Sequence, residues 1–117
     1  MTICSLALAA CKAPPEERHQ MPGADPMRGK AVIEKAACAA CHAIPGIKWP
    51  QGELGPSLDG FADQGMIAGR FSNRPDLLVR YIRNAPSMTP GTAMPAMPIS
   101  EGEARDAAAY LYTLHDR

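Results

Sequence analysis

Cys38, Cys41 and His42 stand together in the run CAACH. Two cysteines separated by two residues present both sulfurs on one side of a helical turn, at a separation suited to bonding the two vinyl groups of a haem. The residue that follows, His42, then lies under the iron. Three uncommon residues at fixed offsets make a specific signal, and it reads as covalent attachment of one haem c through Cys38 and Cys41, with His42 as an axial ligand. Two other chemistries use the same residue types. A thioredoxin-like dithiol follows a strand in a βαβ unit, a pattern the flanking sequence lacks. A zinc site needs further Cys or His, and only His19 and His115 remain, one in a Pro-rich stretch and one at the chain end.

An iron that only carries electrons needs two strong protein ligands, so that neither oxidation state takes up water. The second is commonly methionine, whose soft thioether favours the ferrous state and raises the potential. Met88, Met94 and Met97 all fall in the Pro-rich run NAPSMTPGTAMPAMPI and are the candidates. The residues alone leave the three open, since a methionine is ordinarily core filler.

These groups need elements to hold them. Val32, Ile33 and Ala36 against Arg28, Lys30, Glu34 and Lys35 predict a short amphipathic helix over 27–37, leading straight into CAACH. Gly29 weakens that helix and calls for a close neighbour, another helix. Residues 43–71 are rich in Gly and Pro without a period and read as loop. A second helix fits Pro75 to Arg83, with Leu77, Leu78, Tyr81 and Ile82 as its apolar side and Ser72 or Asn73 as its cap. The four prolines between Asn84 and Ile99 predict an extended strap. Ser100 and Glu103 form a capping box, and Ala104, Ala107, Ala108, Leu111 and Leu114 recur at helical spacing beyond it. No segment asks for a β-sheet, so the expected fold is all-α: three to four short helices with long loops.

Composition agrees with a fold wrapped around an object. The 117 residues suffice for one domain, and 46% are hydrophobic, yet much of that is alanine, with one Trp, three Tyr and two Phe. Small domains with so thin a core usually add a disulfide, a metal or a cofactor. Twelve Lys and Arg balance twelve Asp and Glu, which gives no pull toward nucleic acid or toward a membrane surface.

Residues 1–11, MTICSLALAAC, are too short to span a bilayer but long enough for the core of a secretory signal. Leu8-Ala9-Ala10-Cys11 resembles a bacterial lipobox, which predicts lipidation of Cys11 and a membrane tether; no Lys or Arg precedes the apolar run. Removal by an ordinary signal peptidase, or a Cys4–Cys11 disulfide, are the alternatives. Residues 12–26 read as a flexible Pro-rich spacer in which His19 is solvated. The folded domain is then 27–117, on the periplasmic side of a bacterial membrane, tethered or soluble.

CAACH, Gly55-Pro56-Ser57-Leu58, PGTAMP over 90–95 and Ala109-Tyr110-Leu111 together resemble the class I cytochromes c. The stretch NRPDLLVRYIRNAPSMTPGTAMP is similar to the cytochrome c domains attached to subunit II of some haem-copper oxidases; the oxidase subunit itself, with its copper ligands and membrane helices, is not part of this chain. The resemblance covers about residues 29–114. It implies the class I cytochrome c fold and selects Met94 as the second iron ligand. It implies further that the Pro56 carbonyl accepts a hydrogen bond from the His42 ring, that Tyr81 packs beside the ligand sulfur, and that Thr92 is a haem propionate partner, with Asn73 or Arg70 as another. Gly29 and Tyr110 are implied to mark the close crossing of the first and last helices.

The expected function is a non-enzymatic, monomeric single-electron carrier with a positive potential, passing electrons between redox proteins: a terminal oxidase, a bc1-type complex or a dehydrogenase. A haem-bearing subunit of a periplasmic dehydrogenase complex and a haem gas sensor are the other classes the motif admits. Arg70, Arg74, Arg80 and Arg83 face the single acid Asp76 in their segment. This arginine-rich face predicts docking on an acidic patch, where charge chiefly raises the association rate.

Overall fold

Asp25 starts the first helix. Its carboxylate accepts from the Met27 N–H at 2.7 Å and the Arg28 N–H at 3.1 Å, and Pro26 follows at the first helical position, where no amide donor is missed. The computed structural model describes residues 18–116; the signal and lipobox segment, Cys4, Cys11 and the first part of the spacer lie outside them. Helix α1 is Pro26–Lys35, α2 is Pro75–Met88 and α3 is Glu101–Leu111. Single turns of 3-10 helix form at Cys38–Ala40 and Phe61–Asp63. No helix among the described residues is long and apolar enough to cross a membrane.

The packing of α1 on α3 is the most extensive between elements. It is close because Gly29 has no side chain: a Cβ there would overlap the Asp106 carbonyl. The expected partner of Gly29 was Tyr110. The close crossing of the two helices at Gly29 holds, on the turn of α3 before Tyr110, and the Tyr110 hydroxyl donates to the Pro45 carbonyl at 2.6 Å, tying the loop after CAACH to α3. Arg28 seals the crossing from outside, with Nε 3.0 Å from Asp106, whose carboxylate also accepts from the Asp25 N–H at 2.8 Å. The α3 cap is the expected capping box: the Ser100 hydroxyl accepts from the Glu103 N–H at 3.0 Å, and the Ser100 N–H donates to Glu103 at 3.1 Å.

Helix α2 departs from the sequence reading at both ends. Its N-cap is Arg74, with no side-chain hydrogen bond. Asn73 is buried and spent elsewhere: its amide donates to the Phe61 and Gln64 carbonyls at 3.1 and 2.9 Å and accepts from the Tyr112 hydroxyl at 3.0 Å. At the other end Asn84 leaves helical geometry at φ −154°, ψ 70°, and a further turn runs on to Met88. Pro86 is tolerated because it falls in the first turn after that break, where amide donors have no helical acceptor to lose. The strap is therefore extended only from Thr89. A small hairpin, β1 at Met66–Ile67 and β2 at Phe71–Ser72, pairs Ile67 with Phe71 in antiparallel register. Its turn places Ala68 and Gly69 at φ 52° and 67°, and two-residue strands carry too little alternation to be legible in sequence.

Residues 19–25, read as spacer, pack on the body of the protein. His19 is half-buried, stacked on Tyr112 with ring centroids 4.0 Å apart and planes 14° from parallel. Its Nε2 lies 3.2 Å from the Asn73 carbonyl. Burial, with Arg18 and His115 nearby, holds the imidazole below its ordinary value. Met21 packs against the core and Arg105 donates to the Pro22 carbonyl at 2.8 Å. Proline and charge made this segment look solvated; an aromatic partner 93 residues away, Tyr112, gives it a seat.

Candidate haem attachment site

Ala37 adopts a left-handed conformation, φ 58°, and turns the chain out of α1 into the CAACH segment. Cys41 and His42 then both direct their amides to the Cys38 carbonyl, at 3.2 and 3.0 Å. Cys38 opens this tight turn and Cys41 closes it, and the two thiols are not bonded to each other. Burial pushes the Cys38 thiol up from its ordinary value.

The loop that follows is stitched back onto the turn. The amides of Gly52, Gly55 and Leu58 donate to the carbonyls of Ala39, Cys41 and Ala43 at 2.9, 2.7 and 2.9 Å. Two glycines make the approach possible. A Cβ on Gly52 would overlap the Ala40 carbonyl, and one on Gly55 would lie 2.5 Å from His42 Cε1 and 2.7 Å from Nδ1. The stitched loop brings the Pro56 carbonyl to 2.7 Å from His42 Nδ1. A carbonyl only accepts, so Nδ1 carries the proton and Nε2 is left with its lone pair. The imidazole is thereby held in the tautomer and orientation that a metal ligand requires.

Helix α2 and the strap carry the other predicted site residues, Tyr81, Met88, Thr92, Met94 and Met97. Tyr81 is buried, with its ring tilted against Phe71 at 6.2 Å. Met88 and Met94 are partly buried against the core, whereas Met97 lies outside that cluster, its amide donating to the Arg83 carbonyl at 3.0 Å. The Thr92 hydroxyl accepts from the Met94 N–H at 3.3 Å, which leaves its own proton free to donate. Asn73 has no such freedom: its side chain is satisfied inside the protein, and the expectation that it meets a haem propionate does not hold. Arg70 extends over the Phe71 ring, its Cζ 5.9 Å from the centroid.

This donor set fits a covalently held haem. Two unpaired thiols one turn apart are followed by an imidazole with Nδ1 fixed by the Pro56 carbonyl and Nε2 free, and the core holds small side chains such as Ala39, Ala85, Ala104 and Ala108 beside its larger ones. No group of three or more His, Cys, Asp or Glu converges on a common point among the described residues, so the cysteines lack the further ligands of a structural zinc site. The arginine face is only partly free: Arg74 is tied to Asp76 at 2.9 and 3.2 Å, while Arg80 is exposed. The sequence did not disclose the roles of Gly52 and Gly55, although QGELG, two glycines three apart directly before the proline, was the available signal. Trp49 and Leu54 in the same loop are 86% and 87% exposed.

A family model described as cytochrome c matches residues 26–115. Cytochrome c oxidase subunit 2 of Alkalihalophilus pseudofirmus is 34% identical over 88 residues, which is 74% of this chain and 25% of that protein. The chain thus spans about a quarter of the length of this curated relative. Among solved structures, a chain of SoxXA from P. pantotrophus aligns with a TM-score of 0.61 at 23% identity, covering 91% of this chain and all of the other. Cytochrome c2 from Rhodobacter sphaeroides aligns with a TM-score of 0.58 at 19% identity, covering 80% and 98%. Both show the same fold.

Proposed function

The chain belongs to the cytochrome c family, and from that membership we propose that it is a single-electron carrier holding one haem c through Cys38 and Cys41, with His42 and Met94 as axial ligands. The observation that carries this reading is the 2.7 Å hydrogen bond from His42 Nδ1 to the Pro56 carbonyl beside two unpaired cysteines. When bound, the haem supplies a one-electron couple between ferric and ferrous iron. The protein's part is to keep that couple clean. Pro56 and the Gly55 backbone hold the imidazole and raise its basicity. Thr92 orients the Met94 backbone through the 3.3 Å contact and keeps a proton for a propionate. Tyr81, buried on α2 in the core against which Met94 packs, has the proposed role of limiting how far Met94 can move. With His42 and Met94 both holding the iron, no position would be left open to a substrate, and the proposed role is electron transfer rather than catalysis.

The proposed acceptor is a terminal oxidase or a comparable redox protein, and the proposed donor a bc1-type complex or a dehydrogenase. The similarity to an oxidase subunit 2 supports this choice. The proposal includes residence on the periplasmic side of a bacterial membrane and a lipid tether at Cys11, supported by the LAAC sequence at 8–11.

The test is an optical spectrum of the oxidised protein, made in a host able to attach c-type haem, with and without Met94→Ala. The expected result is a weak long-wavelength sulfur-to-iron band that the substitution removes. A band unaffected by the substitution would exclude Met94 as the ligand; a band missing from the unsubstituted protein would exclude Met ligation, and rapid carbon monoxide binding would then favour a gas sensor.

A further inference from the structure

The two histidines outside the haem site are 96 positions apart in sequence, yet both line one cavity of about 290 Å³, together with Met21 and Tyr112. We propose that His19 and His115 form a second metal site, a two-imidazole site for a borderline divalent cation such as Zn²⁺, between the segment preceding α1 and the end of the chain after α3.

Each ring has one nitrogen committed to a protein acceptor and one left over. His19 Nε2 lies 3.2 Å from the Asn73 carbonyl, so Nε2 carries the proton and Nδ1 keeps its lone pair. His115 Nδ1 lies 3.0 Å from the Asp63 carboxylate, so in the neutral ring Nε2 keeps its lone pair. A carbonyl or a carboxylate behind the outer N–H is the arrangement that metal-bound histidines use to fix tautomer, orientation and basicity. Here it occurs twice around one cavity, and neither instance belongs to the haem site.

The rings are also braced. His19 lies flat on Tyr112, whose hydroxyl donates to the Asn73 side chain at 3.0 Å, so the residue that supplies the backing carbonyl also anchors the stacking partner. Asp63 takes a second hydrogen bond from the Asp116 amide, which holds the carboxylate behind His115. Asp63 also puts a negative charge next to the site, which favours a cation. Imidazole donors select zinc, copper or nickel over magnesium or calcium. With two protein ligands, water completes the coordination, and the site takes up the metal reversibly. Bound metal would clamp the segment before α1 to the chain end, joining two pieces of chain that side-chain stacking and hydrogen bonds otherwise hold.

The experiment is a Zn²⁺ titration of the haem-loaded full chain, followed by calorimetry and by long-range ¹H–¹⁵N spectra of the histidine rings. The expected result is saturable uptake of one Zn²⁺ with His19 Nδ1 and His115 Nε2 shifting together. His19→Gln and His115→Gln should each abolish that uptake, and Asp63→Asn should weaken it about tenfold. If His19→Gln loosens the fold, His115→Gln and the ring resonances still decide. Zinc that binds while moving neither ring, as at Cys4 and Cys11, or moving only one, overturns the proposal. So does the absence of saturable binding.

Discussion

Replacing Gly55 by alanine tests whether the loop holds the imidazole in the way the geometry implies. The backbone at Gly55 is not in the left-handed region, so alanine can adopt it and the effect of the substitution is purely steric. The new Cβ would lie 2.5 Å from His42 Cε1 and 2.7 Å from Nδ1, roughly an ångström inside an ordinary carbon contact of about 3.5–4.0 Å. Either the ring or the loop must give, and both hold one end of the 2.7 Å bond to Pro56. Overpacking of this kind costs about 1–3 kcal/mol, which lowers the melting temperature by about 4–8 °C for each kcal/mol in a domain of this size. The functional consequence follows from the hydrogen bond. It makes His42 a stronger donor and so favours ferric iron; its loss, at about 1 kcal/mol of differential stabilisation, raises the potential. For a one-electron couple that is about 40 mV, on the scale of 59 mV per tenfold change. Spectroelectrochemical titration of Gly55→Ala against Gly65→Ala reads it directly, because a Cβ on Gly65 meets nothing within 4 Å. A potential equal in the two variants, with the His42 ring proton still hydrogen-bonded by NMR, would refute the reasoning.

Three further outcomes follow from the same structure. Asn73→Ala strips partners from the Phe61 carbonyl and the Tyr112 hydroxyl in the interior; at about 1–3 kcal/mol for each unsatisfied group, denaturant melts should show a loss of several kcal/mol with little change in the absorption spectrum. Arg28, chiefly by its hydrogen bond, and the Asp25 amide hold the Asp106 carboxyl below its ordinary range. Its contribution is therefore present above that range and disappears as pH falls through the lowered value, so Asp106→Asn should be less stable at neutral pH and should flatten the acid limb of a melting-temperature profile. If the arginine face docks on an acidic partner, electron-transfer rates should fall with added salt, and reversing Arg80 and Arg83 to glutamate should slow association and remove that dependence.

Much of this molecule is local chemistry and can be read from the chain. CAACH specifies its own turn, because three residues at fixed offsets need only one turn of helix to assemble. The α3 cap is legible for the same reason, since Ser100 and Glu103 satisfy each other's backbone three residues apart. The apolar period of α2 marks its buried side, and the excess of alanine and loop points to an object in the core. What the residues did not determine are relations between distant parts. That the crossing at Gly29 meets the Asp106 backbone while Tyr110 reaches Pro45 depends on the relative rotation of α1 and α3, which no local pattern encodes. Asn73 has the composition of a helix cap, and only the arrival of Phe61, Gln64 and Tyr112 around it makes it the buried polar centre of three elements. His19 reads as solvated until Tyr112 is brought beneath it, and the cavity it shares with His115 exists because the fold closes its two ends on each other. Sequence sets covalent offsets and periodicity; the contacts that orient His42, Asn73 and His19 arise when long-range packing chooses which loop meets which helix, and that choice is made by the whole chain at once.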